Sequence, residues 1–270
     1  MKMVKKVLFG LVVLGTILTL TACGGKPGKD DTENAITAGA NNNWKVNYEN
    51  KDEKELYRAY EPVATKHAGT LVRVQFDSEA TTSDKSKMGL IFNQHYVDDK
   101  DKDKGQNFFI IALAPNGEFY VSEYTNVTDI QGDNFGVGVE GSKAAEREIK
   151  KLHANGNSIT FNTSYEDGMK TAWIWYQAKT DGTYDWAICT DLTKDVEKKY
   201  ETTQDATKAG LPDGATAAKG ATGEKPADWK AGTDKEPENG VSVYAQIQPS
   251  STLKGEWKFL GFFKEAEDAE

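Results

Sequence analysis

Two turn signals constrain this chain more than anything else in it. Asn116-Gly117 separates the runs 106–114 and 118–124, and Asp181-Gly182 separates 170–179 and 183–190. Asn-Gly and Asp-Gly tolerate the positive φ angles of a tight two-residue loop, so each predicts an antiparallel hairpin. Further runs at 71–76, 88–96, 157–163, 241–247 and 256–263 are short and rich in strand-forming residues. No internal repeat accompanies them. Short strands, frequent turns and few helices predict an all-β fold, a two-sheet antiparallel sandwich of the jelly-roll kind.

Loop length decides which side chains share a face, because directly opposed residues point to the same side of a sheet. Across Asn116-Gly117, Leu113 would face Tyr120, Ile111 would face Ser122 and Phe109 would face Tyr124. Ala112 and Ile110 would meet Val121 and Glu123 on the other side. Two largely apolar faces predict a hairpin lying between layers. Across Asp181-Gly182, Lys179 would oppose Tyr184, Gln177 would oppose Trp186, Trp175 would oppose Ile188 and Trp173 would oppose Thr190. One face would then gather Trp173, Trp175, Gln177, Tyr184 and Trp186. These five are the candidate ligand-binding residues, since a sugar ring can stack its C–H face on an indole. Ile174 and Cys189 would turn toward the second sheet. The competing reading makes the tryptophans the core, because aromatic side chains supply much of a core's buried area.

Asn50 and Glu53 have capping-box spacing, and Leu56 and Tyr60 lie four apart, which predicts a short helix ended by Pro62. Ser142 can cap a second helix over 142–153, with Ala145, Ile149 and Leu152 on one face. Leu192, Val196 and Tyr200 predict a third over 191–200. Between two strand-rich regions, residues 204–240 keep Leu211 and Trp229 as their large apolar side chains. That composition predicts a disordered insertion, because it buries too little surface to offset the entropy of ordering.

At the N-terminus, Lys2, Lys5 and Lys6 precede an apolar run over 7–20, and Leu20-Thr21-Ala22-Cys23 follows. The run is shorter than the roughly 20 apolar residues of a membrane span and fits a secretory signal. Leu-Thr-Ala-Cys resembles the lipobox of bacterial lipoproteins. The resemblance implies that the Cys23 thiol takes a diacylglyceryl group and that residues 1–22 are removed as signal peptide. Acyl chains, palmitate among them, would then anchor the protein, and stable anchoring takes more than one chain. Residues 23–43 read as a flexible tether. Residues 44–270 read as a single folded domain opening at Trp44. The expected location is exported and membrane-anchored by lipid, at the outer membrane or cell surface.

Charge narrows the partners. The chain carries 33 basic and 42 acidic residues, net −9. Without the three leader lysines the balance is 30 against 42, or −12. Such a chain lacks the basic footprint of a nucleic-acid binder and a polybasic grip on anionic lipid. Once Cys23 is acylated, Cys189 is the cysteine that remains, so no intramolecular disulfide is possible. Stability must come from a core, and Cys189, in an apolar run, reads as a buried inert thiol.

The segment GLIFNQHY at 89–96 and the segment NFFIIALAPNGEFYVSEYTNV at 107–127 resemble the middle of concanavalin A-like jelly rolls, the laminin-G and glucanase-type sandwiches. NGVSVYAQIQPSSTLKGEWKFLGF at 239–262 is similar to their closing strands. The chain also resembles spirochaete-type surface lipoproteins carrying that domain. The shared motifs are packing motifs and specify no activity.

Glucanases of this fold carry a Glu-x-Asp-x-x-Glu strand, and the nearest match here is Glu265 to Glu270. Its central residue is Glu267, and it ends the chain, where a carboxylate pair would lack the rigid host that glycoside hydrolysis needs. The chain is therefore read as no enzyme. Asp99, Asp101 and Asp103 alternate like a calcium loop, but Lys100, Lys102 and Lys104 fill the gaps and Ile110 stands where the bidentate Glu would be. A solvated loop fits better, so no metal is predicted. His67, His95 and His153 are isolated, and no nucleophile, nucleotide loop or cofactor motif is present. Two classes of function lead, with a glycoside hydrolase third. One is a surface-displayed binding module for glycan or for a host or matrix protein. The other is a structural envelope lipoprotein or assembly subunit without a ligand.

Overall fold

The chain divides into two units, Met1–Glu33 and Asn34–Glu270. The computed structural model describes residues 35–64, 69–96, 105–127, 149–151, 158–179, 183–201, 211–212, 216–221 and 240–263, all in the second unit. The Cys23 lipobox, the Asp99–Asp101–Asp103 loop and the Glu265–Glu270 carboxylates lie outside the described residues.

Two antiparallel sheets form a jelly-roll sandwich. One has seven strands in the order β1-β2-β13-β4-β9-β10-β11, the other six in the order β3-β12-β5-β6-β7-β8. The seven are β1 Ile36–Ala38, β2 Asn43–Asn50, β13 Ser251–Phe263, β4 Gly69–Asp77, β9 Met169–Ala178, β10 Tyr184–Cys189 and β11 Thr216–Ala221. The six are β3 Tyr57–Ala64, β12 Gly240–Ile247, β5 Lys87–Tyr96, β6 Gln106–Leu113, β7 Phe119–Val127 and β8 Ile149–Lys151. The helix α1, Lys194–Glu201, follows β10. Among the described residues no helix is long and apolar enough to cross a membrane.

Alternation along each strand builds the space between the sheets. Val72, Val74 and Phe76 of β4 join Ala172, Ile174 and Tyr176 of β9 and Tyr184, Trp186 and Ile188 of β10. Opposite them stand Met88, Leu90 and Phe92 of β5, Phe109, Ile111 and Leu113 of β6, and Val243 and Ala245 of β12. The Trp257 indole N–H crosses this core and donates to the Gly89 carbonyl at 3.0 Å.

Both hairpins sit one residue away from the two-residue register, and the first shows why. Such a loop would make Pro115 and Glu118 the closing pair, but proline has no N–H to give. Instead Ala114 N–H donates to Glu118 O at 2.8 Å and Gly117 N–H donates to Ala114 O at 2.9 Å. Pro115 then occupies the second position of a turn that its fixed φ favours, and Gly117 takes the bulge at φ 92°. The observed pairs are Leu113 with Phe119, Ile111 with Val121 and Ala112 with Tyr120. In the second hairpin Lys179 N–H donates to Thr183 O, which closes the same length of loop.

Other expectations are corrected. Asn50 and Asp52 do not cap a helix. The Asn50 side chain accepts from Asp52 N–H, and the Asp52 carboxylate accepts from the N–H groups of Lys54 and Glu55. These local turns compete with helix, and the chain continues as β3, an edge strand that accommodates Pro62. Folded structure begins before Trp44, since Ile36 is buried and pairs with Val46. Of the helix expected over 142–153, the described residues Ile149–Lys151 form β8, paired with β7. The run at 157–163 contributes isolated bridges at Ser158 and Asn162 instead of a strand. Within 204–240, residues Thr216–Ala221 are strand β11, paired along β10, and Leu211 packs against the outer cluster. Small residues suffice there because Gly220 lies against the Trp186 indole.

Candidate functional site

The one-residue slip decides the fate of the five candidate ligand-binding residues. Ala187 opposes Trp175, Trp186 opposes Tyr176 and Cys189 opposes Trp173. A slip of one residue turns a strand's side chains to the other face. Tyr184 and Trp186 therefore point between the sheets, where the Tyr184 hydroxyl donates to Asn93 Oδ1 at 3.1 Å. Trp173 and Trp175 point outward, on the side of half-buried Gln177. The structure does not bring the five to one face.

The outward pair is not open to solvent either. Trp173 is 0 % and Trp175 6 % exposed, in a cluster with Leu71, Cys189, Leu192, Tyr200, Leu260 and Phe263. Helix α1 carries Tyr200 and half-buried Val196 to this cluster, with Thr193 at its start accepting from Val196 N–H. Beneath the helix the Trp173 indole N–H donates to Glu197 Oε1 at 2.6 Å. Arg73 Nη1 donates to the same carboxylate at 3.1 and 3.3 Å and to the Tyr165 hydroxyl at 3.1 Å. Arg73 Nη2 lies 3.7 Å from Glu256. Burial, then the Glu197 hydrogen bond, pushes the Tyr165 hydroxyl up to about 12. This arrangement clamps a helix onto a sheet. Cys189 is buried beside it, and burial pushes its thiol up to about 12, outside the range of a reactive thiolate.

The outer face of the six-stranded sheet is covered at its centre too, where Ile91, Ile110, Ala112 and Tyr244 are buried in a cluster of their own, but it carries more polar groups. Crossing the strands, one row reads Arg58, Gln246, Lys87, because Gln246 of β12 pairs with Arg58 on one side and with Lys87 on the other. The next row reads Tyr60, Tyr244, Gly89, Ala112, Tyr120. Tyrosines thus flank a centre of glycine and alanine. Gly89 cannot be enlarged, since a Cβ there would meet the Ile111 carbonyl and the Ala112 Cα of the adjoining strand. A third row continues through Ser242, Ile91, Ile110 and Ser122, and Tyr124 lies stacked on Phe108 beyond it.

Lys87 Nζ sits 3.5 Å from the centroid of the Tyr120 ring, and the Tyr120 hydroxyl donates to Glu118 Oε2 at 2.7 Å. Burial and then the Arg58 charge push the Lys87 ammonium down to about 8, against the opposing pull of Glu118. Burial, then the Glu118 hydrogen bond, pushes Tyr120 up to about 12. The Tyr244 hydroxyl donates to Gln246 Oε1 at 3.1 Å, and burial raises it above the usual phenol range. Tyr60 and Tyr120 are half-buried, while Tyr244, Arg58 and Gln246 are buried; aromatic edges with a few convergent polar groups are the composition of a ligand face.

Periodicity alone did not point to these residues. Arg58 and Tyr60 fell in the segment expected as helix. The row Arg58–Gln246–Lys87 exists because β12 inserts between β3 and β5, strands far from it in the chain. The alternation of Tyr57, Ala59 and Glu61 against Arg58, Tyr60 and Pro62 was the available signal, and it required β3 to be read as a strand. Among the described residues no group of three or more His, Cys, Asp or Glu could hold a metal ion.

The fold and both outer faces define a two-sheet antiparallel jelly-roll sandwich. No family model matches the chain, and no curated protein matches it. Among solved structures it is similar to the kappa-carrageenase of Pseudoalteromonas carrageenovora, crystallised with an oligotetrasaccharide of kappa-carrageenan. That likeness has 7 % identity and a TM-score of 0.37 and covers 83 % of this chain and 80 % of the other. It bears on the sandwich and not on the lipoprotein resemblance, and at that TM-score it assigns neither an activity nor a ligand. The expectation that the chain is no enzyme is corrected on this finding: the similar structure is a carrageenase, and the expectation is dropped.

Proposed function

We propose that this chain is an exported, lipid-anchored protein that engages glycan through the outer face of its six-stranded sheet. The observation that carries the reading is the row Tyr60, Tyr244, Gly89, Ala112, Tyr120 beside Arg58, Gln246 and Lys87. A sugar offers an apolar C–H face and a rim of hydroxyls. Tyrosine rings match the first and also carry a polar tip, and planar amide and charged groups match the second. Glycan is therefore the ligand class that this face suits.

Anchoring through Cys23 belongs to the same reading and is supported by the basic-apolar leader before it. A lipid at residue 23 would hold the sandwich at the outer membrane or cell surface, with the residues between them as spacer. The test is a glycan array probed with the full-length chain in detergent micelles, beside a Tyr120→Ala variant. The reading expects capture of a restricted set of oligosaccharides and its loss in the variant at unchanged melting temperature. Capture that is indifferent to Tyr120→Ala, or none at all, would remove this face as the site.

A further inference from the structure

Three buried polar atoms that no protein group satisfies gather on the outward face of the seven-stranded sheet. Along β2, β13 and β4, Val46, Trp257, Val74 and Phe76 point between the sheets, so the residues that alternate with them point outward. One outward row reads Asn43, Lys258, Arg73, and the next reads Lys45, Glu256, Gln75. Asn43 Oδ1, Arg73 Nε and Gln75 Oε1 in these rows are buried without a hydrogen-bond partner among the described residues. Gln75 is buried completely. Its amide nitrogen donates to Thr171 Oγ1 at 3.0 Å and to Glu166 Oε2 at 3.2 Å, which leaves the carbonyl oxygen in need of a donor. An unmet polar atom is costly to bury, and in a native protein it asks for an explanation.

The face is open over β2 and β13. The Lys45 side chain is 63 % and that of Glu256 24 % exposed, and Asn47, the next outward residue of β2, is exposed. Glu256 stands on β13 between the unmet atom of β2 and the two of β4. Its carboxylate lies 3.8 Å from Lys45 Nζ and 3.7 Å from Arg73 Nη2 and accepts no hydrogen bond among the described residues. Charge holds it without fixing its direction, so it can turn to a ligand and uncover the atoms beside it.

The charges of this face are already matched. Lys45 and Arg73 share Glu256, Arg73 also holds Glu197, and Lys258 holds Glu201. An anion would have to compete with Glu256 and Glu201, and a cation would meet Lys45, Arg73 and Lys258. The unmet atoms are two acceptors and one donor, beside a carboxylate with lone pairs to spare. A hydroxyl group both donates and accepts, so a neutral ligand carrying several hydroxyls fits the set.

We propose that the outward face of β2, β13 and β4 binds a neutral oligosaccharide, whose hydroxyls donate to Glu256, Gln75 and Asn43 and accept from Arg73 Nε. This site lies on the other sheet from the tyrosine row and does not depend on the reading of that row.

The experiment is calorimetric titration of the full-length chain in micelles of a detergent without a sugar headgroup. The probes are cellohexaose, maltohexaose, an oligogalacturonate hexamer and a glucosamine hexamer. At least one neutral hexamer is expected to bind more tightly than both charged ones. Glu256→Gln trades two carboxylate acceptors for one amide oxygen and is expected to weaken that binding about tenfold to a hundredfold, and Asn43→Ala about fivefold. Asn43→Ala removes an atom that has no partner in the protein, so its melting temperature should not fall and its loss of binding is not a loss of folding. Tyr120→Ala is expected to leave this binding unchanged. Charged hexamers bound as tightly as the neutral ones overturn the proposal, and so does binding of none of the four, which would leave solvent as the partner of these atoms. Neutral binding that survives both Glu256→Gln and Asn43→Ala also overturns it; if Tyr120→Ala abolishes that same binding, the ligand belongs to the tyrosine row and the reading of that row stands.

Discussion

Replacing Glu197 with alanine tests whether a buried charge, and not helix propensity, holds α1 to its sheet. The Glu197 side chain is 6 % exposed and that of Arg73 12 %, so the pair is largely desolvated. Removing the carboxylate takes two contacts from Arg73 Nη1 and the acceptor from the Trp173 indole N–H. Breaking a buried pair by deleting one partner costs about 3–5 kcal/mol, because the other charge stays behind. Arg73 keeps Glu256 at 3.7 Å and the Tyr165 hydroxyl, which places the loss near the lower end, about 3 kcal/mol. Alanine is the better helix former by a few tenths of a kcal/mol, too little to offset this. In a domain of this size each kcal/mol moves the midpoint by about 2–4 °C, so the melting temperature should fall by about 6–12 °C. The assay is thermal and urea unfolding followed by tryptophan fluorescence and circular dichroism together, since coincident transitions are needed for the free-energy comparison. Replacing both partners, as Arg73→Met with Glu197→Leu, should recover much of the loss, because two apolar groups leave no stranded charge. A Glu197→Ala variant within about 1 kcal/mol of the parent would refute the reasoning and show that water replaces the carboxylate at little cost.

Three further outcomes follow from single observations. Gly117→Ala should destabilise by about 1–3 kcal/mol in urea unfolding, since φ is 92° there and a Cβ would meet the Ile159 carbonyl; an unchanged midpoint would mean the turn relaxes freely. Lys87 is pushed down to about 8 in the folded state, so that state binds fewer protons than the unfolded chain from there up to the usual lysine range. Its contribution to stability therefore rises with pH across that window and is lost as pH falls through about 8. Unfolding free energies measured between pH 7 and 9.5 should show Lys87→Met more stable than the parent at the low end and the gap closing as pH rises; a constant gap would contradict a desolvated ammonium. Cys23→Ser should move the protein from the membrane to the soluble fraction and leave the leader uncut, and fractionation with an intact-mass measurement that finds both unchanged would end the anchoring proposal.

Period-2 alternation was legible wherever a strand packs one face on the core. Val72, Val74 and Phe76 alternate along the run 71–76 and all point between the sheets. The helix over 191–200 was legible too, because Leu192, Val196 and Tyr200 repeat at helical spacing and all three reach one cluster. The burial of Cys189 followed from its apolar run. The helix expected over 50–62 failed because Asn and Asp side chains serve turns as readily as caps. Strand β11 was missed because Thr216–Ala221 contains no large apolar residue, and its pairing is decided by the edge that β10 offers.

By itself the sequence determined the strand-rich composition, the two hairpins and hence the sandwich, because alternation and turn chemistry are local. Tertiary structure and the closure of each loop together decided which side of β7 and β10 faces the core. That choice depends on one residue of loop length, and Pro115, without an N–H, moves the first closing pair to Ala114 and Glu118. The order of non-consecutive strands was likewise decided in three dimensions. It places β12 between β3 and β5, and so sets Arg58 and Lys87 on either side of Gln246. No local pattern can specify such a row, because it arises when the sheet forms and chain segments far apart must satisfy one another's backbone hydrogen bonds.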